Sequence, residues 1–260
     1  MKTRLYLLAL CLGTLLAISN ASAAETSEIN ISGAGPSGKI VQIFFSTFKQ
    51  HNPEYADIKF VVPGRSIKHA GGIRWSEKNL FGRTGRALKP GEKAKNKDEL
   101  LLARIPAVFI KGEKVSIKRL SKDKLKSIYT GKIRNWKKLG GPDAEIQLIG
   151  REPAEAIYSK LRKLYPFMSD TKYWITFTRD HQVIGHMKSE RSQYALAFGA
   201  SPNFDKASVL SINGEQTGVS IGLVYDKKNQ QNALLKAVKA FANSMVWKQA
   251  VIQSGYLSIN

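Results

Sequence analysis

The sequence predicts an α/β protein with enough residues for one large domain or two modest ones. Short apolar segments alternate with segments of helical periodicity along the chain, which is typical of strands separated by crossover helices. The 260 residues are 43% hydrophobic and 23% charged, which excludes a wholly disordered chain. No repeat of roughly 20–50 residues recurs, so repeat architectures are excluded as well.

Residues 1–24 have the pattern of a secretory signal. A basic start precedes an apolar run over residues 5–18, and small residues at 21–23 supply the cleavage pattern. The 14 residues of the apolar run fall short of the ~20 that a membrane-spanning helix needs. The only cysteine, Cys11, lies in this run. We therefore expect a periplasmic mature protein without disulfides or a cysteine-rich zinc site.

The apolar pattern predicts the elements in order. We expect strands over residues 29–31, 58–62, 101–110, 145–149, 194–198 and 219–225. We expect helices over residues 40–48, 122–129, 153–164 and 231–254. Ser121 is in position to cap the second helix, and Pro106 must lie at a sheet edge or at a strand start. Strands that alternate with helices favour largely parallel sheets.

A glycine-rich segment, Gly33 to Gly38, joins the first strand to the first helix. It fits the dinucleotide pattern G-x-G-x-x-G, but Pro63 follows the second strand where a ribose-binding acid would be expected. It also approximates a nucleotide phosphate loop, but Ile40 stands where the magnesium-binding serine or threonine belongs. Both nucleotide interpretations are disfavoured, whereas a tight turn that needs glycine for its backbone angles stays open.

A glycine loop at a helix start can hold an oxyanion without any nucleotide. The backbone N–H groups of such a loop point into one concavity, and the helix start adds partial positive charge. We therefore expect Gly35, Ser37 and Gly38 to bind an anion, with Ser37 acting either as a helix cap or as a hydroxyl donor.

Three arginines are further candidates for anion binding. Arg83 and Arg86 flank a glycine in a turn-like segment, where a planar guanidinium could grip an oxyanion. Arg151 follows a predicted strand and precedes a predicted helix, which is where ligands bind in open α/β sheets. A solvated or salt-bridged role is the plainer alternative for each of them.

The sequence lacks the usual patterns of catalysis and metal binding. The four histidines do not have the spacing of metal ligands, and no nucleophile elbow or pair of carboxylates stands out. We expect neither an enzyme nor a protein that holds a metal ion or a cofactor.

Several segments resemble a known family in order along the chain. Residues 31–37, 71–73 and 81–88 resemble the first-domain loops of the phosphate-binding periplasmic proteins of ABC transporters. Residues 125–136, which contain the pattern I-Y-x-G-K-I-x-x-W, resemble the family's middle helix and turn and are the most specific match. Residues 253–257 are similar to the family's C-terminal ending.

This resemblance implies a two-lobed periplasmic binding-protein fold, similar to type 2, with two mixed sheets, flanking helices and hinge strands. It places residues 25–110 and 219–260 in one lobe and residues 111–218 in the other. Phosphate or a related oxyanion would bind between the lobes. We expect a monomer that presents its ligand to an inner-membrane ABC permease.

The family's binding residues transfer to this chain only in part. The first-loop hydroxyl corresponds to Ser37 and the anion-binding arginine to Arg151. The second-loop serine falls near Ser66 or His69. The family's aspartate, which accepts a proton from the bound phosphate, falls at Gly85.

Residues 153–157 depart from the family's motif after the arginine. The family's serine and threonine hydroxyls are missing there, and Glu155 would repel an anion if it faced the cleft. Together with the missing aspartate, these departures favour a fully ionised or larger anion, such as an organophosphate, with Arg83 and Arg86 supplying charge.

The chain is strongly basic, with a formal charge of +21 and a pI near 10.0. Residues 111–138 include eleven basic and two acidic residues. This stretch is either a solvated face or a contact for a polyanion such as anionic lipid, lipopolysaccharide or extracellular nucleic acid. The sequence has no base-reading motif, so specific nucleic-acid recognition is not expected.

Two functions are compatible with these observations. The first is a periplasmic solute-binding protein that captures an oxyanion between two lobes for ABC-type transport. The alternative is a two-lobed scaffold that has lost its small-ligand site and acts as a basic envelope-interaction or adhesion module.

Overall fold

The computed structural model describes residues 27–67, 71–214 and 216–259. The predicted signal at residues 1–24 and the candidate His69 lie outside the described residues. Within the described ranges, none of the helices is long and apolar enough to span a membrane.

Strands in the described residues form a large mixed sheet and a separate parallel pair. Their bounds are β1 (Glu28–Asn30), β2 (Lys59–Val61), β3 (Gly82–Thr84), β4 (Lys97–Lys111), β5 (Arg119–Leu120), β6 (Gln147–Arg151), β7 (Ile175–Phe177), β8 (Ala195–Ala200), β9 (Val209–Ile212) and β10 (Gly218–Asp226). The large sheet has the order β3-β10-β4-β8-β6-β7, with β9 joining β4 to β5, while β1 pairs with β2. The predicted α/β class with mixed sheets and flanking helices is confirmed.

The helices flank these sheets. Their bounds are α1 (Gly38–His51), α2 (Gly71–Trp75), α3 (Pro90–Lys93), α4 (Lys122–Tyr129), α5 (Ala156–Leu164), α6 (Asp180–Met187), α7 (Ala233–Ala242) and α8 (Met245–Gln253). Helix α4 has its predicted bounds, and Oγ of its predicted cap, Ser121, accepts from the backbone N–H of Lys124 at 3.2 Å. The prediction of one long C-terminal helix is wrong. Ser244 caps a separate helix, α8, by accepting from the backbone N–H of Trp247 at 3.1 Å.

The 15-residue strand β4 connects the two halves of the large sheet. Its first part, through Pro106, pairs with β10, and its last part, from Ala107, pairs with β8. The prediction that Pro106 lies at an edge or a strand start is therefore wrong. The N–H of Ala107 donates to the carbonyl oxygen of Thr217, just before β10, at 2.9 Å. Because successive N–H groups along a strand point to opposite sides, an N–H at position 106 would face β8. Pairing with β8 begins only one residue later, and no ladder bond is lost.

The centre of the large sheet is antiparallel, which differs from the expectation of largely parallel sheets. Strand β4 pairs antiparallel with both β10 and β8, whereas β6 pairs parallel with β7 and with β8. The chain leaves one half of the sheet through β4 and returns through β10, so these two long strands run in opposite directions. Parallel pairs remain where helices connect neighbouring strands.

Of the three apolar clusters in the described residues, the two larger ones lie at the two ends of β4, and the third surrounds Ile110, Ile149 and Val183. The first is rich in aromatic rings from α1 and α8, including Phe44 and Trp247, whose ring centroids are 4.8 Å apart. The second surrounds Trp136, Tyr158 and Phe198. We call the parts built on these cores lobe 1 and lobe 2. Their boundaries near residues 110 and 219 stay a prediction.

Candidate anion-binding site

Three glycines of lobe 1 let three backbone segments touch one another. A Cβ atom on Gly82 would overlap the carbonyl oxygen of Gly72, and one on Gly33 would overlap the carbonyl oxygen of Arg83. Gly33 also has a φ of +145°, which side chains rarely adopt. The loop after β1, the start of α2 and strand β3 can therefore pack directly together, and they form the wall of a cleft.

The cleft has a volume of about 320 Å³. Its lining consists of Ala34, Gly35, Ser66, Ile67, Gly71, Gly72, Ile73, Arg83, Thr84, Gly85 and Arg86. Of the predicted site residues, Gly35, Ser66, Arg83 and Arg86 are thus brought together. Ser37 and Gly38 follow the lining residue Gly35 in sequence but do not line the cleft themselves. Arg151 does not line it either, since it lies at the end of β6 in lobe 2.

Arg83 is a buried cation, with only 1% of its surface exposed. Its Nη2 donates to the carbonyl oxygens of Pro63 and Arg65, at 2.7 and 3.0 Å. Its Nε is buried and has no hydrogen-bond partner. Burial lowers the pKa of the guanidinium, but arginine stays protonated in proteins. In the part of the chain that the structure describes, no carboxylate forms an ion pair with Arg83.

The guanidinium of Arg83 lies against the first turn of α1. A Cβ atom on Gly38, the first residue of this helix, would overlap Nη1 of Arg83. The N-terminus of a helix carries partial positive charge and favours an anion rather than a cation. Two positive groups are therefore placed together in a buried position, and a bound oxyanion would satisfy both.

Ser37 is fully buried beside this first turn. Its Oγ donates to the carbonyl oxygen of Ala34 at 3.0 Å and makes no capping hydrogen bond to α1. Ser37 stands at the N-cap position of α1, but its hydroxyl closes the glycine loop and does not cap the helix, so the first of its two alternative roles is wrong. Its role as a hydroxyl donor to a ligand stays a prediction.

Arg86 lines the cleft, but its guanidinium is held by Glu92. Nη1 and Nη2 of Arg86 each donate to one carboxylate oxygen of Glu92 at 2.7 Å. This bidentate pair lowers the pKa of Glu92 to about 2. Sequence reasoning missed Glu92, although it lies only six residues after Arg86 on the short helix α3.

Arg151 ends strand β6, as its predicted position requires, and is also held by the protein itself. Its Nη1 donates to Oδ1 of Asp180, and its Nε donates to the carbonyl oxygen of Phe177 at 3.2 Å. Only 7% of the arginine side chain is exposed, against 53% of the Asp180 side chain. Asp180 begins helix α6, which the sequence analysis did not predict.

Glu155 occupies the N-terminus of α5 in lobe 2. Its carboxylate accepts from the backbone N–H groups of Ile157 and Tyr158, at 2.9 and 2.6 Å. The helix begins at Ala156, three residues later than predicted, because Glu155 acts as its cap. Arg151 and the start of α5 are therefore both bound by carboxylates of the same chain.

A comparison with protein-family models finds a match over residues 19–178 to a family described as a PBP superfamily domain. The chain belongs to the PBP superfamily. Within the described residues, no three His, Cys, Asp or Glu side chains come together as potential metal ligands.

Relatives of this PBP superfamily member include phosphate-binding proteins. The phosphate-binding protein PstS of Bacillus subtilis is 31% identical over 142 residues, which are 51% of this chain and 46% of that protein. The chain therefore spans less than half the length of that curated relative.

Solved structures show the same fold. A substrate-binding protein assigned to a phosphate ABC transporter of Clostridium perfringens, solved with bound phosphate, superposes with a TM-score of 0.64 and 21% identity, covering 90% of this chain and 100% of that one. A phosphate transport receptor of the ABC type from Vibrio cholerae gives 0.56 and 20%, covering 89% and 99% of the respective chains. At these identities the likeness shows the PBP fold and does not by itself transfer a ligand.

Proposed function

We propose that this protein is a solute-binding protein that holds phosphate or a related oxyanion in the lobe 1 cleft and serves an ABC-type transporter. The observation that carries the proposal is Arg83, a buried guanidinium without an ion-paired carboxylate in the described residues, placed against the start of α1. The B. subtilis and V. cholerae relatives, whose names refer to phosphate, support the choice of ligand.

The charge balance explains why an anion belongs there. Moving a charged group out of water is costly unless an opposite charge or several hydrogen bonds compensate for it. Two carbonyl oxygens compensate Arg83 in part, while its Nε stays unpaired. An oxyanion above the guanidinium would supply the missing opposite charge.

The location and partner of the protein follow from the same proposal. A solute-binding protein of this kind would act in the periplasm as a monomer and would present its ligand to an inner-membrane permease. Arg86 and Arg151 would contribute less than Arg83, because Glu92 and Asp180 already hold them.

Calorimetry of the purified protein with phosphate and sulfate tests the proposal. We expect saturable binding of at least one anion, and about 10- to 100-fold weaker binding in Arg83→Met, since hydrogen bonds to charged groups are the strong ones. Arg119→Met, which removes the same charge from an exposed position of lobe 2, should bind as the wild type does. The proposal is wrong if neither anion binds, or if folded Arg83→Met binds with unchanged affinity.

A second candidate function rests on the exposed basic residues of lobe 2. Ten of the eleven basic residues within 111–138 are exposed, Lys111 being the exception. Among the described ion pairs, Lys137 is the only one of the eleven to take part. This surface is available for contact with anionic lipid or lipopolysaccharide, which is the alternative of a basic envelope-interaction module.

Binding to anionic vesicles at increasing salt tests this second function. We expect binding that weakens steeply with salt and that is reduced when Lys122, Lys124 and Lys126 of α4 are all changed to Glu. The same three changes at Lys206, Lys227 and Lys228, which are exposed elsewhere, are the matched control. Equal loss in both triple variants would show that net charge alone, and not this surface, is responsible.

A further inference from the structure

Lobe 2 contains a cavity near the end of β6 that lies opposite to Arg151. Its volume is about 560 Å³, which falls within the roughly 300–1,000 Å³ typical of small-ligand sites. The lining comes mainly from the end of α4, from the residues just before β6 and from the residues just before β7. Arg151 is the last residue of β6 and does not line this cavity. We call the cavity the lobe 2 groove.

Hydrogen bonds of the protein hold the walls of the lobe 2 groove in place. The hydroxyl of Thr171 is shared between the carbonyl oxygens of Tyr129 and Phe167, at 3.1 and 3.3 Å, and ties the segment before β7 to the end of α4. The N–H of Trp174 donates to the carbonyl oxygen of Leu148 at 2.8 Å and ties the same segment to β6. The groove therefore exists before a ligand enters it, so binding requires little ordering of the chain.

A tryptophan with an uncovered ring lies among the lining residues. The most buried members of the lining are apolar or aromatic, and Ile128, Tyr129 and Ile146 are each at most 8% exposed. Trp174, in contrast, is 54% exposed. Its ring contacts that of His186, with the ring centroids 5.7 Å apart. An exposed aromatic face beside apolar residues is a platform on which a ring-shaped ligand can stack.

The charged residues of the lining balance one another. Arg134 and Lys172 are cationic, whereas Glu145 and Asp170 are anionic. All four are exposed, and none of them takes part in the ion pairs of the described residues. The groove therefore offers donors and acceptors that do not neutralise one another, in a chain whose overall formal charge is +21.

We propose that the lobe 2 groove binds a neutral saccharide, with one sugar ring stacked on Trp174. A sugar ring has polarised C–H groups on its faces, and the negative face of an indole attracts them. Its hydroxyls both donate and accept, so they can bind carboxylates and cations together. An ion of either sign would be repelled by two of the four charged residues. The proposal is independent of the anion site in lobe 1.

Titration with three neutral trisaccharides, maltotriose, cellotriose and chitotriose, tests the proposal. Among the tryptophans that the structure describes, Trp136 and Trp247 are buried and Trp174 is the most exposed. A sugar stacked on Trp174 should therefore shift the fluorescence emission to shorter wavelength and protect the indole from acrylamide. We expect a saturable response with at least one trisaccharide. Its affinity should change by less than about twofold between low and high salt, because a neutral ligand has no charge to be screened.

Calorimetry of Trp174 variants measures the contribution of stacking. Trp174→Ala should bind the saccharide at least about tenfold more weakly, whereas Trp174→Phe, which keeps an aromatic face, should lose less. Met245→Ala removes an apolar side chain that is 66% exposed on α8 of lobe 1, and it should bind as the wild type does. Both positions are exposed, so we expect all of these variants to fold.

Two further variants measure the hydrogen bonds to the carboxylates. Glu145→Gln and Asp170→Asn remove a charge and keep the shape of the side chain. Each should weaken saccharide binding by about three- to tenfold, because hydrogen bonds to charged groups are stronger than neutral ones. Glu77→Gln, at an exposed position of lobe 1, is the matched control. Unchanged affinity in both lobe 2 variants would contradict the proposal.

The outcomes decide the proposal in either direction. Saturable binding of a trisaccharide that Trp174→Ala weakens supports it. Absence of binding by all three, or unchanged affinity in Trp174→Ala, overturns it. Binding of phosphatidylglycerol vesicles that Trp174→Ala abolishes, without binding of any trisaccharide, would show a membrane contact and would overturn it as well. Phosphate calorimetry of Trp174→Ala should match the wild type, so the functions of the two lobes are tested separately.

Discussion

The two lobes place an arginine near the start of a helix in different ways, and the difference lies in what each arginine touches. In lobe 1, Arg83 lies against α1 and has carbonyl oxygens but no described carboxylate as partners. In lobe 2, Arg151 donates to Asp180, and Glu155 occupies the start of α5. The arginine of lobe 1 thus has no carboxylate partner among the described residues, whereas the arginine and the helix start of lobe 2 are bound by carboxylates of the chain.

The two carboxylates of lobe 2 are not held equally firmly. The Asp180 side chain is half exposed, so its pair with Arg151 is worth at most about 1 kcal/mol. Glu155 is held more firmly, by two backbone N–H groups. A ligand could therefore displace Asp180 from Arg151 more easily than it could displace Glu155 from α5.

The largest expected effect comes from the glycine contacts that build the lobe 1 cleft. In Gly82→Ala, the new Cβ would overlap the backbone of Gly72, which cannot move away as a side chain can. We expect unfolding in denaturant to show a loss of about 3 kcal/mol in stability, together with weaker anion binding. Gly91→Ala is the control, because nothing lies within 4 Å of a Cβ there. Equal stability of the two variants would contradict the close packing of the cleft wall.

Gly38→Ala should move the guanidinium of Arg83 with little effect on the stability of the fold. In Gly38→Ala, the Cβ would displace Nη1 of Arg83, while the helix gains up to about 1 kcal/mol in propensity. We expect anion affinity, measured by calorimetry, to fall about tenfold with the melting temperature nearly unchanged. Gly185→Ala in α6 offers a similar propensity gain with nothing within 4 Å, and it should bind normally. Unchanged binding in Gly38→Ala would remove Arg83 from the site.

Arg151→Ala tests the other side of the comparison. Because Asp180 already holds Arg151, we expect anion affinity to change by less than about threefold, well below the effect of Arg83→Met. Asp180→Asn, which frees Arg151, is the companion variant and should tighten binding slightly. Loss of the calorimetric signal in Arg151→Ala would show instead that ligand binding opens this ion pair and that both lobes hold the anion.

The smallest expected effect concerns Arg86 and its partner. Since the pair with Arg86 lowers the pKa of Glu92 to about 2, Glu92 stabilises the fold above its ordinary pKa of 4.5, and this contribution disappears as the pH falls toward 2. Glu92→Gln should lower the free energy of unfolding by at most about 1 kcal/mol at neutral pH. The difference from the wild type should vanish in acid, whereas Glu54→Gln at an exposed position should show no such pattern. A difference that persists in acid would contradict this assignment.

The sequence predicted the elements that depend only on residues close to one another in the chain. Helix α4 and its cap Ser121 follow from a short amphipathic pattern. The anion site that the glycine loop indicated next to α1 stays a prediction. The break between α7 and α8 was missed, although Ser244 is a good capping residue, because the apolar pattern continues across it.

The partners of the candidate site could not be predicted in the same way. Asp180 is 29 residues from Arg151 in sequence, and only the pairing of β6 with β7 brings them together. The burial of Arg83 likewise depends on Pro63 and Arg65, about 20 residues earlier in the chain. Sequence reasoning could name the arginines, but tertiary contacts decide which of them is already neutralised.

Strand β4 has a consequence for any attempt to produce the lobes separately. It supplies the neighbour of β10 in lobe 1 and the neighbour of β8 in lobe 2. A lobe 2 fragment that starts after Lys111 would lack the partner of β8, and a fragment that starts at Ala107 would leave β10 with an uncovered row of N–H and C=O groups. Such open edges recruit other chains, so either half expressed alone should aggregate rather than fold.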